Sequence, residues 1–294
     1  MQDTQDMQAN PESNHYISQR LRLHYVDWGN PGAPPLLLLH GGRDHCRNWD
    51  WTARALAGRF HILASDWRGH GDSDWSADGE YKLQGYVFDL AQLIQQQGLG
   101  PVTIVGHSMG GHVALRYAGL YPDLVRRLVV IEGLGLSPRL LAERDARDCG
   151  ERIREWIGQK RASAGRTPRR YATPADAILR MQEENRHLSA AQARHLTLHG
   201  LRRHEDGGYG WKFDPYLNLW ADADLPQAVL ETLWSRITAP TLLLYGTESG
   251  ASNPETDGRL GHFRNARVEL YEGAGHWLHH ERQQRFLADL DSFL

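Results

Sequence analysis

Val102-Thr103-Ile104-Val105-Gly106-His107-Ser108-Met109-Gly110-Gly111 is the stretch on which the fold turns. It opens as a short run rich in β-branched residues, the pattern of a buried parallel strand. It then meets Gly-His-Ser-Met-Gly. The residues that follow, His112 to Ala118, have helical spacing. A Gly-x-Ser-x-Gly between a strand and a helix is a nucleophile elbow. The serine sits in a tight turn with its hydroxyl pushed out above the sheet. Gly106 and Gly110 remove the Cβ atoms that would clash there. The helix that follows aims its N-terminus at the serine, which favours a developing oxyanion. The pentapeptide alone is common, and the strand–turn–helix setting is what makes it specific.

Outward from this stretch, strands alternate with helices. Tyr16 to Trp28 reads as strand, with Leu21, Leu23 and Tyr25 on one face, then a turn at Gly29 to Gly32. Pro35 to Leu39 is a buried strand ending in His40-Gly41-Gly42-Arg43. Trp49 to Arg59 has helical spacing. His61 to Ala64 is a strand that ends at Ser65-Asp66-Trp67-Arg68-Gly69-His70-Gly71-Asp72-Ser73. Tyr86 to Gln97 is a helix stopped by Gly98, and Arg127 to Ile131 is a strand followed by Glu132-Gly133. From about Leu136 to Ser235 the rhythm changes. Strand-like runs vanish and Arg, Glu, Ala and Gln dominate, with Arg152, Arg154, Arg161, Arg166, Arg169 and Arg170 crowded together. The strand–helix alternation returns at Pro240 to Gly246 and Arg267 to Tyr271. The chain closes with a helix over Glu281 to Leu294 that carries Phe286, Leu287, Leu290 and Phe293 on one face.

This order predicts an α/β fold: a mainly parallel central sheet flanked by helices. Residues 15–135 and 236–294 form its core, 136–235 a helical insertion, and 1–14 a flexible tail. Ligands of such sheets bind beyond the carboxyl ends of the strands. His40-Gly41-Gly42, Ser108, Glu132, Glu248 and His276 all fall just after strands, so they converge on one sheet edge.

The 294 residues carry a formal net charge of −3, which asks for neither nucleic acid nor an anionic membrane. The two cysteines, Cys46 and Cys149, stand far apart, which fits reduced thiols in a cytoplasm better than a disulfide framework. No apolar run is long enough to span a bilayer, and the polar N-terminal residues lack the apolar stretch of a secretory signal.

Four ordered motifs now stand together: His40-Gly41-Gly42, Asp66-x-Arg68-Gly69-His70-Gly71-x-Ser73, Gly106-His107-Ser108-Met109-Gly110-Gly111 and Gly275-His276-Trp277. In these the chain resembles the α/β-hydrolase superfamily from Tyr16 to Leu294, apart from the insertion. The resemblance is specific for the fold and far less so for the substrate. It implies that Ser108 attacks an acyl carbonyl with His276 as base, and that backbone N–H groups of Gly42 and Met109 form an oxyanion hole. It implies that the insertion is a cap over the site. It also implies that Asp66 holds a loop by hydrogen bonds, with Arg68 as its partner, and that His40 braces the oxyanion loop. His107 would pack beside the nucleophile or line the pocket, while His279 and His280 would have surface or supporting roles. A small residue at Gly42 would let the backbone approach closely.

The sequence departs from the pattern at the acid. Most members carry an Asp after the strand that here ends at Tyr245-Gly246, where this chain reads Gly246-Thr247-Glu248-Ser249. Glu248 is the carboxylate of that turn. The alternative is Glu132, which follows the preceding strand and lies 24 residues past Ser108. That is the placement used by some haloalkane dehalogenases and small bacterial esterases. Glu132 is the preferred acid and Glu248 the alternative.

The function expected is a serine hydrolase cleaving a small carboxylic ester through an acyl-enzyme. Thioesterase, lactonase, C–C bond hydrolase and perhydrolase chemistry would use the same groups. A small-molecule receptor built on this fold is the reading from a different class. Dehalogenation or epoxide opening would need an Asp at position 108. No cofactor is expected and no metal, since neither His-x-His nor His-Glu-x-x-His occurs. Asp44 and His45 face either the pocket or solvent. The insertion's arginines form a solvated face or recognise an anionic substrate. Trp156, Trp211, Tyr216, Trp220 and Trp234 line the pocket or form the insertion's own core, and Gly207-Gly208-Tyr209-Gly210 is a candidate hinge. The oligomeric state is not legible.

Overall fold

A computed structural model of the chain describes residues 10–165, 167–218 and 224–294. In chain order the elements are β1 (Glu12–Ser18), β2 (Leu21–Asp27), β3 (Pro35–Leu39), α1 (Asp50–Leu56), β4 (His61–Ser65), α2 (Leu83–Gln96), β5 (Val102–His107), α3 (Met109–Leu120) and β6 (Val125–Ile131). Then come α4 (Pro138–Asp145), α5 (Cys149–Ala164), α6 (Pro174–Glu184), α7 (Ala190–Gly200), β7 (Leu201–Arg203), β8 (Tyr209–Trp211) and α8 (Gln227–Arg236). The chain ends with β9 (Thr241–Gly246), β10 (Ala266–Tyr271), α9 (Leu278–Glu281) and α10 (Gln283–Phe293). Among the described residues, no helix is long and apolar enough to cross a membrane.

The main sheet has the order β1-β2-β4-β3-β5-β6-β9-β10. From β4 to β10 every neighbouring pair is parallel, and β1 and β2 add an antiparallel edge. The central strands read as unbroken apolar runs because both faces are covered. In β3, Leu37 and Leu39 point into the core that holds α2, α3 and α8, whereas Leu36 and Leu38 point into the core that holds α1 and α10. All four leucines are fully buried, which stabilises by roughly 1.5–3 kcal/mol each.

Three expectations change here. The segment expected as one strand from Tyr16 is a hairpin, and β1 reaches back to Glu12, so residues 12–14 belong to the sheet rather than to a tail. The hairpin turn is Gln19-Arg20, both with positive φ (48° and 70°). Such turns favour Asn or Gly, and with neither present the sequence carries no signal for it. The insertion is not wholly helical, since β7 and β8 pair as a small antiparallel ribbon. Gly207, at φ 86°, is in its turn, so the candidate hinge is a hairpin turn. Finally, α8 belongs to the main core: Leu230 and Trp234 are buried there, and a Cβ on Gly119 of α3 would lie 2.4 Å from the Leu233 carbonyl oxygen. The core therefore resumes before residue 236.

The elbow glycines have a steric cause. A Cβ on Gly106 would stand 2.7 Å from the backbone of Gly110, and one on Gly110 would stand 2.3 Å from the Leu39 carbonyl oxygen. No flexible side chain can yield there, so β3 and α3 would have to separate. Gly110→Ala is expected to lower stability by on the order of 2–3 kcal/mol, read as a lower denaturation midpoint with an unchanged slope. An unchanged midpoint would refute the close-packing account.

Candidate active site

Strand register brings the site residues together. Ile131 of β6 stands opposite both His107 of β5 and Leu244 of β9. The residues just beyond, Ser108, Glu132 and Tyr245-Gly246, therefore lie side by side. Tyr271 of β10 aligns with Gly246, and the loop after it carries His276. Ser108 has φ 51° and ψ −117°, a strained conformation for a residue with a side chain. It is held by its N–H on the Ile131 carbonyl (2.7 Å) and by its own carbonyl, which accepts from His112 N–H at 2.9 Å. Met109 is the first residue of α3, so its N–H is among those with no partner inside the helix.

Glu132 is also in the left-handed region, at φ 49°, and its carboxylate is fully buried. Its Oε1 accepts from Gly246 N–H at 2.8 Å, and its Oε2 accepts from the Ser249 hydroxyl at 2.6 Å and from His276 Nδ1 at 2.5 Å. A buried carboxylate is costly unless it is paired and hydrogen-bonded, and these three donors meet that need. Glu248 is not at the site. It is exposed, and its backbone N–H bonds the Ala274 carbonyl at 2.9 Å. With Nδ1 of His276 committed to Glu132, Nε2 is the ring nitrogen left for proton transfer.

The His276 loop is fixed from below. His107 is buried and donates from Nε2 to the His276 carbonyl at 2.9 Å. Burial holds its pKa well below the usual histidine value, so it stays neutral. His279 and His280 are buried rather than on the surface, and both reach Asn48 Oδ1, at 3.0 and 3.1 Å. Asn48 in turn donates to Asp44. Sequence reading missed Ser249, Asn48 and the role of His107. Ser249 lies in the turn after β9, where nothing in its residue type or spacing marks it as a donor to the distant Glu132.

His40 braces the loop ahead of it. Its Nε2 accepts from Trp67 N–H (3.2 Å), its Nδ1 donates to the Gly41 carbonyl (2.6 Å), and burial lowers its pKa to about 4. The close approach expected at Gly42 occurs at Gly41, where a Cβ would stand 2.8 Å from His107 Nδ1. Around Gly42 the space is open. Asp66 holds its loop by accepting from the N–H groups of Cys46 (2.6 Å) and Asp72 (3.0 Å) and pairing with His24 (2.7 Å). Burial alone would raise its pKa, but these partners hold it well below the carboxylate range. Arg68 is not its partner, because Arg68 pairs with Asp89 of α2 at 2.6 Å.

Ser108, Met109, Glu132, His276 and Gly42 line one cavity of about 1250 Å³ between the sheet edge and the inserted segment. Asp44 and His45 line it too. Of the aromatic candidates, Trp211 lines it, while Trp234 is buried in the main core and Trp156 and Tyr216 lie off its wall. Trp220 lies outside the described residues, as does Arg166. The other arginines of the crowded run are not among the lining residues.

Among the described residues, two groups have metal-ligand proximity: the buried set His24, Cys46 and Asp66, and Asp50 with His195 and His199. The second includes an i,i+4 histidine pair on α7 that sequence reading passed over. Arg47 and Arg54 lie on the Asp50 carboxylate (2.6 and 3.3 Å), and their charge opposes a cation there. In the first, the Asp66 oxygens are already shared among the donors named above. Neither group includes Ser108, Glu132 or His276.

Residues 34–283 match the family model described as the alpha/beta hydrolase fold. This chain belongs to that family. It is 30% identical over 274 residues to the sn-1-specific diacylglycerol lipase ABHD11 of Mus musculus, covering 90% of this chain and 82% of that protein. It is 29% identical over 261 residues to the esterase Rv0045c of Mycobacterium tuberculosis, covering 85% and 78%. Among solved structures, a hypothetical protein from Pseudomonas aeruginosa superposes with a TM-score of 0.80 at 26% identity, covering 96% of this chain and 98% of that one. This α/β hydrolase therefore stands among hydrolases, with a fold shared over nearly its whole length.

Proposed function

We propose that this α/β hydrolase cleaves small carboxylic esters through an acyl-enzyme. Ser108 is the nucleophile, His276 the base, Glu132 the acid, and the N–H groups of Gly42 and Met109 the oxyanion hole. The observation that carries the reading is the 2.5 Å pair of buried Glu132 with His276 Nδ1, in the same cavity as a strained elbow serine. The Ser108 oxygen attacks the acyl carbon and its proton passes to His276 Nε2. The carbonyl electrons move onto oxygen, where the two N–H groups stabilise the charge. Collapse expels the alcohol, which takes the proton from His276. Water then repeats the sequence and releases the acid. Glu132 keeps the proton on Nδ1 and stabilises the imidazolium that forms. The same steps serve thioesters, lactones or an acyl–carbon bond, and peroxide in place of water would give a peracid. Carboxylic esters are favoured by the esterase and lipase among the relatives. A serine at position 108 does not suit epoxide opening or dehalogenation, which attack a saturated carbon through a carboxylate.

The inserted segment from α4 to β8 acts as a cap, with Trp211 from β8 and Leu188 and Leu196 around α7 on the cavity wall. Cys46 and Cys149 are both free, which suits a reducing cytoplasm. The test is hydrolysis of p-nitrophenyl esters from acetyl to dodecanoyl. Sustained turnover that falls off with acyl length is expected, the fall marking the room under the cap. Failure to exceed the buffer rate on every ester, or a single-turnover burst without turnover, would overturn the reading, the burst in favour of a receptor.

A further inference from the structure

Among the described residues, three Arg or Lys side chains line the cavity: Arg43, Arg144 and Lys212. Arg144 is paired with Asp145 at 2.8 Å and Lys212 with Asp72 at 2.8 Å. Arg43 has no hydrogen bond or ion pair among the described residues. The lining carboxylates are engaged elsewhere: Glu132 by His276, Glu184 by Arg180, Asp224 by Arg116, and Glu281 by the Gly275 N–H. Asp44, next in sequence, is buried against Asn48, and burial pushes its carboxyl up to about 7. At neutral pH it carries only part of a charge and does not cancel Arg43.

The backbone of Arg43 adds to this. It lies at φ 61°, in the left-handed region, although it is not glycine. That conformation is strained for a residue with a side chain. It directly follows Gly42, so an unpaired guanidinium springs from the residue next to the proposed oxyanion donor. It is exposed within the cavity, where a ligand can reach it.

We propose that Arg43 recognises an anion, and that the preferred substrates are carboxylic esters bearing a separate carboxylate a few bonds from the scissile carbonyl. This rests on the ester-hydrolase reading above. The planar guanidinium matches a carboxylate through two parallel N–H donors. One unpaired cation suits a monoanion. The arginine-rich run of the insertion contributes no described lining residue.

The test compares two substrate pairs by pH-stat: monomethyl with dimethyl glutarate, whose charge is on the acyl side, and O-acetylglycolate with its methyl ester, whose charge is on the alcohol side. The kcat/KM ratio of anionic to neutral member is measured for wild type, Arg43→Gln and Arg43→Lys. For at least one pair the ratio should fall about tenfold in Arg43→Gln, mainly through KM, and recover in part in Arg43→Lys. The pair that responds identifies the side that carries the charge. On wild type alone, added salt should raise KM for the anionic member of that pair and leave the neutral member's KM flat. This arm needs no variant to fold. Ratios unchanged by Arg43→Gln for both pairs, or KM values indifferent to salt for both anionic esters, overturn this inference and leave ester hydrolysis standing. Failure of wild type on all four esters while p-nitrophenyl esters are still turned over overturns this inference alone, and failure on both sets sinks the ester reading and this inference with it.

Discussion

Ser108→Ala is expected to lower kcat for p-nitrophenyl ester hydrolysis by on the order of 10³-fold or more, with the melting temperature unchanged within about 2 °C. The two halves of this expectation have separate causes. The chemical half follows from the acyl-enzyme route: without the hydroxyl there is no atom to carry the acyl group, and only binding and the oxyanion donors remain to help water. The structural half follows from what holds position 108. Its backbone is tied to Ile131 and His112, and alanine suffers the same strain at φ 51° as serine does. The fold therefore has no reason to respond. A fluorophosphonate should add to wild type at this residue and not to the variant, as read by intact mass. Activity in Ser108→Ala close to wild type would remove the nucleophile and the acyl-enzyme route together.

The elbow was legible because three constraints coincide on few residues: a strand that must be apolar on both faces, a turn that excludes Cβ atoms, and a helix that starts at once. Each leaves a mark in residue type. The central strands were legible for the same reason, since burial on both faces of β3, β5 and β9 dictates runs of Leu, Val and Ile. What escaped lacks such a mark. The β1–β2 turn uses Gln19 and Arg20 in left-handed conformations that nothing in those side chains announces. The partners of Arg68 and Glu132 depend on which helices and loops meet them in space. Asp89, the partner of Arg68, lies on α2, and Ser249, which donates to Glu132, follows β9, each fixed by packing of elements distant in sequence. The aromatic residues of the segment 136–235 show the limit most plainly: Trp211 and Trp234 read alike in sequence, yet one lines the cavity and the other, carried on α8, is buried in the main core. Amphipathic spacing tells that a residue is inward, not which interior it faces.

The acid was narrowed to two glutamates by sequence, and strand register separates them. Glu132 is one residue past Ile131, level with Ser108, whereas Glu248 is four past Leu244 on an exposed turn. Glu132→Gln is expected to lower kcat by roughly 10³- to 10⁴-fold with little change in KM. The cause is a proton on the wrong nitrogen. The amide can still accept from Gly246 N–H, but its NH₂ then faces His276 Nδ1 and the Ser249 hydroxyl. Nδ1 must become an acceptor, the ring proton moves to Nε2, and His276 can no longer take a proton from Ser108. Glutamine is the cleaner replacement, because Glu132→Ala would also strand the Gly246 N–H and cost about 1–3 kcal/mol of stability. Glu248→Gln, on an exposed side chain, is expected to stay within about twofold of wild type. The paired result is what discriminates. If Glu248→Gln collapses kcat and Glu132→Gln does not, the His276 loop takes its orientation from the β9 turn during turnover. The buried Glu132 carboxylate then serves only to tie β6 to β9 through Gly246 and Ser249.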